Sequence, residues 1–308
     1  MSHHTRTASI RRRFEWSISL AALLLGALVA AEQLQAQLIT FSSEQLVKYT
    51  GKSTFERFPD GRPKVPDELL ERLKKFTTEE VHESLPRNGY RNQFEAGWQI
   101  LRPERILVGR AFTLQYMPSR PDVTEVDQAD AKARGERRPP RNQTAIDMLG
   151  PNDVIVVDLF GSKNPFAGNK LAYYIMKATG AGMVVDGNVY WTHRIADMDL
   201  SVYTRHATPG SPGTAMLTGI NVPVRIGNTT VMPGDVVFGD REGVTFIPSH
   251  LAEEVVKQGE YMLARDAWFL EKFDTGKYKS SEIYGVTDPE LIKEREEFIK
   301  KRLMKPAG

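Results

Sequence analysis

The chain has 308 residues, of which 41% are hydrophobic and 26% charged, enough to bury a sizeable core. A formal net charge of +2 gives no electrostatic case for a nucleic acid partner. The absence of cysteine excludes disulfides, thiolate catalysis and cysteine-ligated zinc or iron–sulfur sites.

Residues 1–36 carry Arg6, Arg11, Arg12 and Arg13, then an apolar run over 17–31, then small residues. This is the layout of an export signal, with Ala31 and Ala36 as candidate cleavage points. The run is short for a spanning helix, which needs ~20 apolar residues. The expectation is an exported protein, periplasmic or extracellular, with no stable membrane span once the signal is removed. Arg11-Arg12-Arg13-Phe14 is similar to a twin-arginine signal, and a Sec signal is the alternative. Removing the segment takes four arginines and two glutamates and leaves the remaining charges balanced.

Residues 37–76 read as a polar, proline- and glycine-punctuated arm, packing on a neighbouring subunit or lying irregularly, followed by a helix over 67–75. A second helix is expected over 78–85, with Thr77 or Thr78 as its N-cap. His82 on it reads as a packing or surface histidine. The stretch 105–116 is a strand pair or one long bent strand, with Gly109 as a candidate bulge. Residues 119–142 form a charged insertion, either a solvated loop with a short helix or a lid lending arginines to an anionic substrate. A short helix over 143–149 leads into the next strand.

The apolar, β-branched run 153–159 predicts a buried strand. From Asn169, apolar residues recur at Leu171, Ala172, Ile175, Met176 and Ala178, which is helical spacing, and Gly180 is placed as a C-cap glycine. Residues 182–186 predict a second buried strand. Two strands joined by a helix are almost always parallel and right-handed. The loops at Gly168 and at 187–191 therefore leave the same carboxyl edge, where open α/β sheets place ligands. Gly168 also begins a helix, whose free N–H groups suit a carboxylate or phosphate.

Beyond it, short β-branched runs at 222–224, 228–230, 236–238 and 244–247 predict a compact antiparallel or mixed β layer. Asp240 reads as a turn capper. Residues 249–273 predict a long amphipathic helix with Ser249 as N-cap. The tail 287–303 predicts another, capped by Thr287 or Asp288, whose apolar stripe points to a partner subunit.

The run Gly168-Asn169-Lys170-Leu171-Ala172 and the stretch 180–189 (GAGMVVDGNV) resemble the 4-hydroxy-4-methyl-2-oxoglutarate aldolases and the regulator of ribonuclease E activity A. The likeness continues through 108–113 (VGRAFT), 150–161, 208–209, 231–235 (VMPGD) and 239–248. It implies an α/β fold: a single RraA-like swivelling β/β/α domain over 77–271, with an N-terminal arm and a C-terminal helical tail over 272–308. It also implies a homo-oligomer, a trimer with sites between subunits. The positions Gly168, Asn169, Lys170 and Leu171 would bind the carboxylate and keto group of a small oxo acid. In the family an Arg-Asp pair follows, the arginine holding substrate and the aspartate holding Mg²⁺ or Mn²⁺, which stabilises the enolate formed on C–C cleavage. Asp266 is the nearest match to an acidic group supplied by a neighbour.

This chain departs at that pair, with Tyr190 in the arginine position and Trp191 in the aspartate position. A neutral phenol cannot replace a bidentate guanidinium, and an indole cannot ligate a hard cation. Arg194 or Arg205 could restore the positive charge, and His193 or Asp197 could hold a metal from a shifted position. The plainer reading makes these residues, with Asp199 and His206, solvent-facing members of a loop and short helix. Lys163 and Lys170 lie near the mouth, and a Schiff-base role would require desolvation. Two classes of function follow. One is a lyase acting on a small oxo- or hydroxy-dicarboxylic acid, with Tyr190 and Arg194 as candidate catalytic residues. The other is a non-catalytic, exported, oligomeric binding protein that keeps the carboxylate pocket. Ribonuclease regulation belongs to a cytoplasmic branch, and export separates this chain from it.

Overall fold

The computed structural model describes residues 40–304, except 134, 138–140, 211, 212 and 214; the export reading of residues 1–36 lies outside them. The arm folds onto its own chain. It forms α1 (Ser43–Tyr49) and α2 (Asp67–Leu73), which buries Leu69, Leu70 and Leu73. Arg62 Nη1 donates to Asp153 Oδ1 at 2.9 Å in the interior, and Arg62 Nε donates to Asp60 Oδ2 at 2.7 Å. A buried cation with two carboxylates is a strong tether, because losing either partner strands a charge away from water. The arm therefore packs on the chain's own β-sheet.

The next helix, α3 (Thr78–His82), is short, and Asp240 caps it from far along the chain. Asp240 Oδ2 accepts from Thr78 N–H at 2.7 Å, and Oδ1 accepts from the Thr78 hydroxyl at 2.8 Å and Glu242 N–H at 2.9 Å. Asp240 is therefore the turn capper expected, and more. His82 packs edge-on to Phe94, as a packing histidine should.

One mixed sheet of nine strands organises the described residues. Its strands are β1 (Phe94–Glu95), β2 (Gln99–Ile100), β3 (Leu107–Pro118), β4 (Asp153–Asp158), β5 (Gly182–Val189), β6 (Ser201–Ala207), β7 (Ala215–Ile220), β10 (Val236–Gly239) and β11 (Val244–Ile247). The order is β1-β11-β10-β3-β4-β5-β6-β2, with β7 pairing the far half of β3. Strands β3, β4, β5 and β6 are mutually parallel, and the others join antiparallel. A separate hairpin, β8 (Val224–Ile226) with β9 (Thr229–Val231), covers one face.

The helix α4 (Pro121–Ala133), the short α5 (Asn142–Ile146) and α6 (Asn169–Thr179) follow the edge loops. Alternation along β4 explains its unbroken apolar run. Ile155 and Val157 pack with Ile175 of α6, while Val154 and Val156 pack with the β8–β9 hairpin. Both faces are covered, so both sets of side chains must be apolar. A third cluster joins α2 and α3 to Val236, Phe238 and the long helix α8 (Ala252–Asp274).

Several expectations need correction. Gly109 is not a bulge: its register with Val237 is regular, and the irregularity falls between Gln115 and Tyr116. Glycine is required at 109 because a Cβ there would lie 2.5 Å from the Asn152 carbonyl oxygen. Within the charged insertion the helix is longer than the short one expected, with 13 residues in α4. Ser249 does not cap α8 with its side chain. Instead a 3-10 turn, Ser249–Leu251, precedes it, and Asp235 Oδ1 accepts from Ser249 N–H at 3.3 Å. The tail forms the tiny α9 (Ser280–Ile283) and then α10 (Pro289–Leu303), capped by Asp288. It lies against α8 of its own chain: Trp268 donates to Glu294, and Lys272 pairs with Glu294.

Candidate functional site

The β4–α6–β5 unit is parallel and in register, Val154 beside Gly182 through Asp158 beside Asp186, so both its loops leave one carboxyl edge. Two backbone bonds and one side-chain bond stitch the two loops together. Phe166 N–H donates to the Asn188 carbonyl at 2.8 Å, Tyr190 N–H to Ala167 at 3.1 Å, and Asn188 Nδ2 to Lys163 at 2.8 Å. Gly168 precedes α6 in extended conformation, and no side chain caps the helix there. The first-turn N–H groups of α6 are therefore left for a ligand or solvent. Gly168 is a requirement of space: a Cβ would meet the Tyr190 ring at 2.5 Å. The Tyr190 phenol thus lies against Gly168 at the start of α6.

A cavity of about 470 Å³ opens beside this helix start, within the usual range for small-ligand sites. Its walls include Tyr116, Arg141, Phe166, Leu171 and Tyr190, with Thr124 and Gln128 of α4. Asn142 Nδ2 donates to the Phe166 carbonyl at 2.7 Å, which fixes α5 to the loop. Tyr116 packs edge-on to Phe166, is only 5% exposed, and its hydroxyl has no partner among the described residues. Burial pushes the Tyr116 phenol well above its ordinary pKa, so it stays a neutral O–H. Tyr190 also lines a second cleft of about 560 Å³, with Trp191, Thr192, His193, Ala207, Thr208 and Pro209.

The sequence-derived candidates scatter around these two spaces. Tyr190 is half-buried between them, and Leu171 lines the first. Lys170 and Lys163 are exposed, so neither has the desolvation a Schiff-base lysine needs. Trp191 is 58% exposed and holds a left-handed backbone, φ +60°, ahead of α7 (Thr192–Ala196). His193, Arg194 and Asp197 are exposed along or just after α7. The expected loop beyond them is in fact β6, which positions Arg205 inward. Arg205 Nε donates to Asp186 Oδ1 at 2.7 Å, lies 3.4 Å from Glu95, and stacks 3.7 Å above the Trp98 ring. Fully engaged there, it does not replace the missing arginine. Asp199 pairs with Arg105, and His206 is exposed on β6. Asp266 sits on α8 beside Arg265, outside the lining of both spaces.

Mg²⁺ or Mn²⁺ requires oxygen ligands. Here the family's ligand position carries an exposed indole, and among the described residues no group of three or more His, Asp or Glu could hold a metal ion. The residues present do not fit the metal site as the family builds it. Tyr116, Phe166 and Arg141 were not singled out as site residues from sequence. Only the charged insertion signalled Arg141, as one of the arginines a lid could lend.

The fold and this edge site define a family. A sequence profile of the RraA-like family, described as aldolase/RraA, matches residues 78–246, and the chain belongs to that family. A protein of Halalkalibacterium halodurans, provisionally named 4-hydroxy-4-methyl-2-oxoglutarate aldolase, is 31% identical over 117 residues, 38% of this chain. A protein of the same provisional name from Ectopseudomonas mendocina is 32% identical over 108 residues, 35% of this chain. The chain spans 56% and 67% of the lengths of these two relatives. The crystal structure of Streptomyces coelicolor RraAS2, described as an unusual member of the RNase ES inhibitor RraA family, superposes with a TM-score of 0.56. It is 26% identical and covers 70% of this chain and 98% of its own. An uncharacterized Pseudomonas syringae protein, 21% identical, shares the fold with a TM-score of 0.57, covering 70% of this chain and 96% of its own.

Proposed function

We propose that the chain is a lyase-like protein acting on a small oxo- or hydroxy-dicarboxylic acid, by aldol cleavage or decarboxylation that gives pyruvate. The observation that carries this reading is the uncapped start of α6 at the carboxyl edge, beside a cavity of about 470 Å³ that Leu171 of its first turn helps to line. Its N–H groups suit the substrate carboxylate, and preorganised N–H donors also stabilise an oxyanion such as a developing enolate. The names of the relatives support the same substrate chemistry. No metal-borne step is part of the proposal, because Trp191 removes the carboxylate that would anchor one. Export to the periplasm or beyond, and assembly as a homo-oligomer of the trimeric kind, belong to the same proposal; among the described residues no helix is long and apolar enough to cross a membrane.

One observation favours a second reading, an oligomeric binding protein without catalysis: Tyr190 and Trp191 stand where the family keeps its Arg-Asp pair. Pyruvate release from oxaloacetate and from 4-hydroxy-4-methyl-2-oxoglutarate separates the two. The chain lacking residues 1–36 is compared with the Tyr190→Arg/Trp191→Asp double variant, in Mg²⁺, Mn²⁺ or chelator. Turnover by the natural sequence in chelator supports the lyase reading. Metal-dependent turnover by it would bring His193 and Asp197 forward as ligands. Turnover by the double variant alone supports the binding protein, and silence from both sinks the lyase reading.

A further inference from the structure

We propose that the cavity between the N-terminal arm and the turn from β11 into α8 is a second binding site, and that it takes a hydroxylated phosphomonoester, the chemistry of a sugar phosphate. This goes beyond the reading of the edge site and does not rest on it. The cavity measures about 660 Å³, within the range of small-molecule sites, and shares no lining residue with either space at the edge. Part of its wall is the end of α1 and the turn after it, residues 48–52, which lie outside the family match at 78–246. The rest includes Tyr90 and Gln93 ahead of β1, Asp235 ahead of β10, and Ser249 and His250 ahead of α8.

The buried part of this lining is polar. Gln93 is 8% exposed and Ser249 only 3%. Gln93 Nε2 donates to the Phe246 carbonyl at 2.7 Å, and Ser249 N–H donates to Asp235. Gln93 Oε1 and the Ser249 hydroxyl have no partner among the described residues, and neither is sealed in the interior as the Tyr116 hydroxyl is. Both therefore open on the cavity that their residues line. A carbonyl and a hydroxyl left open in a buried wall suit ligand hydroxyls, which donate and accept. Burial keeps the Asp235 carboxyl protonated up to about 7, so below that it brings no negative charge.

The exposed part is cationic. Lys48 and Lys52 are exposed and make no ion pair among the described residues. His250 Nε2 lies 3.4 Å from the Tyr90 hydroxyl. Burial and the charge of Lys52 hold the His250 pKa below its ordinary value, against the pull of Glu254, so the imidazole is a neutral hydrogen-bonding group. Lysine is a compact point charge, and two of them suit a phosphate dianion. The arginine fork that matches a planar carboxylate is missing from this lining.

The test is calorimetric binding of glucose 6-phosphate, gluconate, glucose and inorganic phosphate to the chain lacking residues 1–36. At about pH 6.5 the phosphomonoester is largely dianionic and Asp235 is still mostly protonated. Glucose 6-phosphate should bind about tenfold more tightly than inorganic phosphate or gluconate, and glucose should not bind. The double variant Lys48→Ala/Lys52→Ala should weaken it about tenfold. Gln93→Leu should bring it down to the level of inorganic phosphate. Thermal melting checks each fold, and the two surface lysines keep the test decisive even where Gln93→Leu does not fold. Gly168→Ala, at the edge site, should leave glucose 6-phosphate binding unchanged. No binding of glucose 6-phosphate, equal binding of gluconate or inorganic phosphate, or full affinity in the double lysine variant overturns the second site. Loss of binding in Gly168→Ala but not in the lysine variant would place the phosphate at α6 and overturn it as well. Pyruvate binding reads the edge site separately, so the two readings stand or fall apart.

Discussion

Two helix starts in this protein are built in opposite ways. At the β11–α8 corner, Asp235 accepts from Ser249 N–H and from Met232 N–H (2.9 Å), and in the β10–β11 turn Asp240 accepts three bonds for α3 and its own turn. At the β4–α6 corner the helix starts at a glycine, and no side chain caps it. One spends carboxylates on the backbone donors of the turns that lead into α8 and α3, and the other leaves donors open beside a cavity. Donors saturated by the chain's own side chains maintain the fold. Donors left unsaturated at a sheet's carboxyl edge are where a ligand's charge is worth most.

The largest expected effects lie at the saturated corner. Burial raises the Asp235 carboxyl to about 7, far above its ordinary 3.8. The folded state then holds a proton that the unfolded chain has lost. The stabilisation is complete below about pH 4 and is lost as pH rises toward about 7, on the order of a few kcal/mol. Urea melts between pH 4 and 8 should show that decline, and Asp235→Asn should remove it; an equal slope in the variant would contradict the assignment. Asp240→Ala strands the Thr78 and Glu242 donors and should cost about 2–4 kcal/mol in the same melts, with little change in carboxylate binding.

The open corner should respond differently. Gly168→Ala drives a Cβ into the Tyr190 ring, so about 1–3 kcal/mol of stability should go together with most of the pyruvate binding. The smallest effect sharpens the contrast most. Lys170→Glu places a negative charge in the first turn of α6, which should stabilise the helix by about 0.3–1 kcal/mol. The same charge competes with the ligand, so pyruvate affinity should fall about tenfold. Stability and binding moving in the same direction would refute the idea that the helix start is reserved for an anion.

The sequence was most legible where covalent geometry leaves few choices. The β4–α6–β5 unit announces itself through a doubly buried strand, a 3.6-residue repeat and the left-handed Gly180 at the helix end. Asp240 was readable as a capper because aspartate beside glycine is turn chemistry, although its partner Thr78, 162 positions away, was not. Strand β6 was hidden because its far half carries Arg205 and His206, which suggest a surface. Arg205 can sit in a strand only because Asp186, Glu95 and Trp98 surround it, and no local pattern encodes that. The length of helix α4 was hidden for the reverse reason: it buries only Ala131, so it shows no apolar stripe. Tyr116 reads as one more alternating strand residue. Its place in the site arises only when α4, α5 and β7 close around it.

The most direct test is calorimetric titration of the chain lacking residues 1–36 with pyruvate, once in excess Mg²⁺ and once in chelator. An α6 start that binds the carboxylate by itself, beside a Tyr190–Trp191 end that holds no metal, predicts saturable binding with the same Kd in both. Binding that appears only with Mg²⁺, or no binding at all, would contradict it.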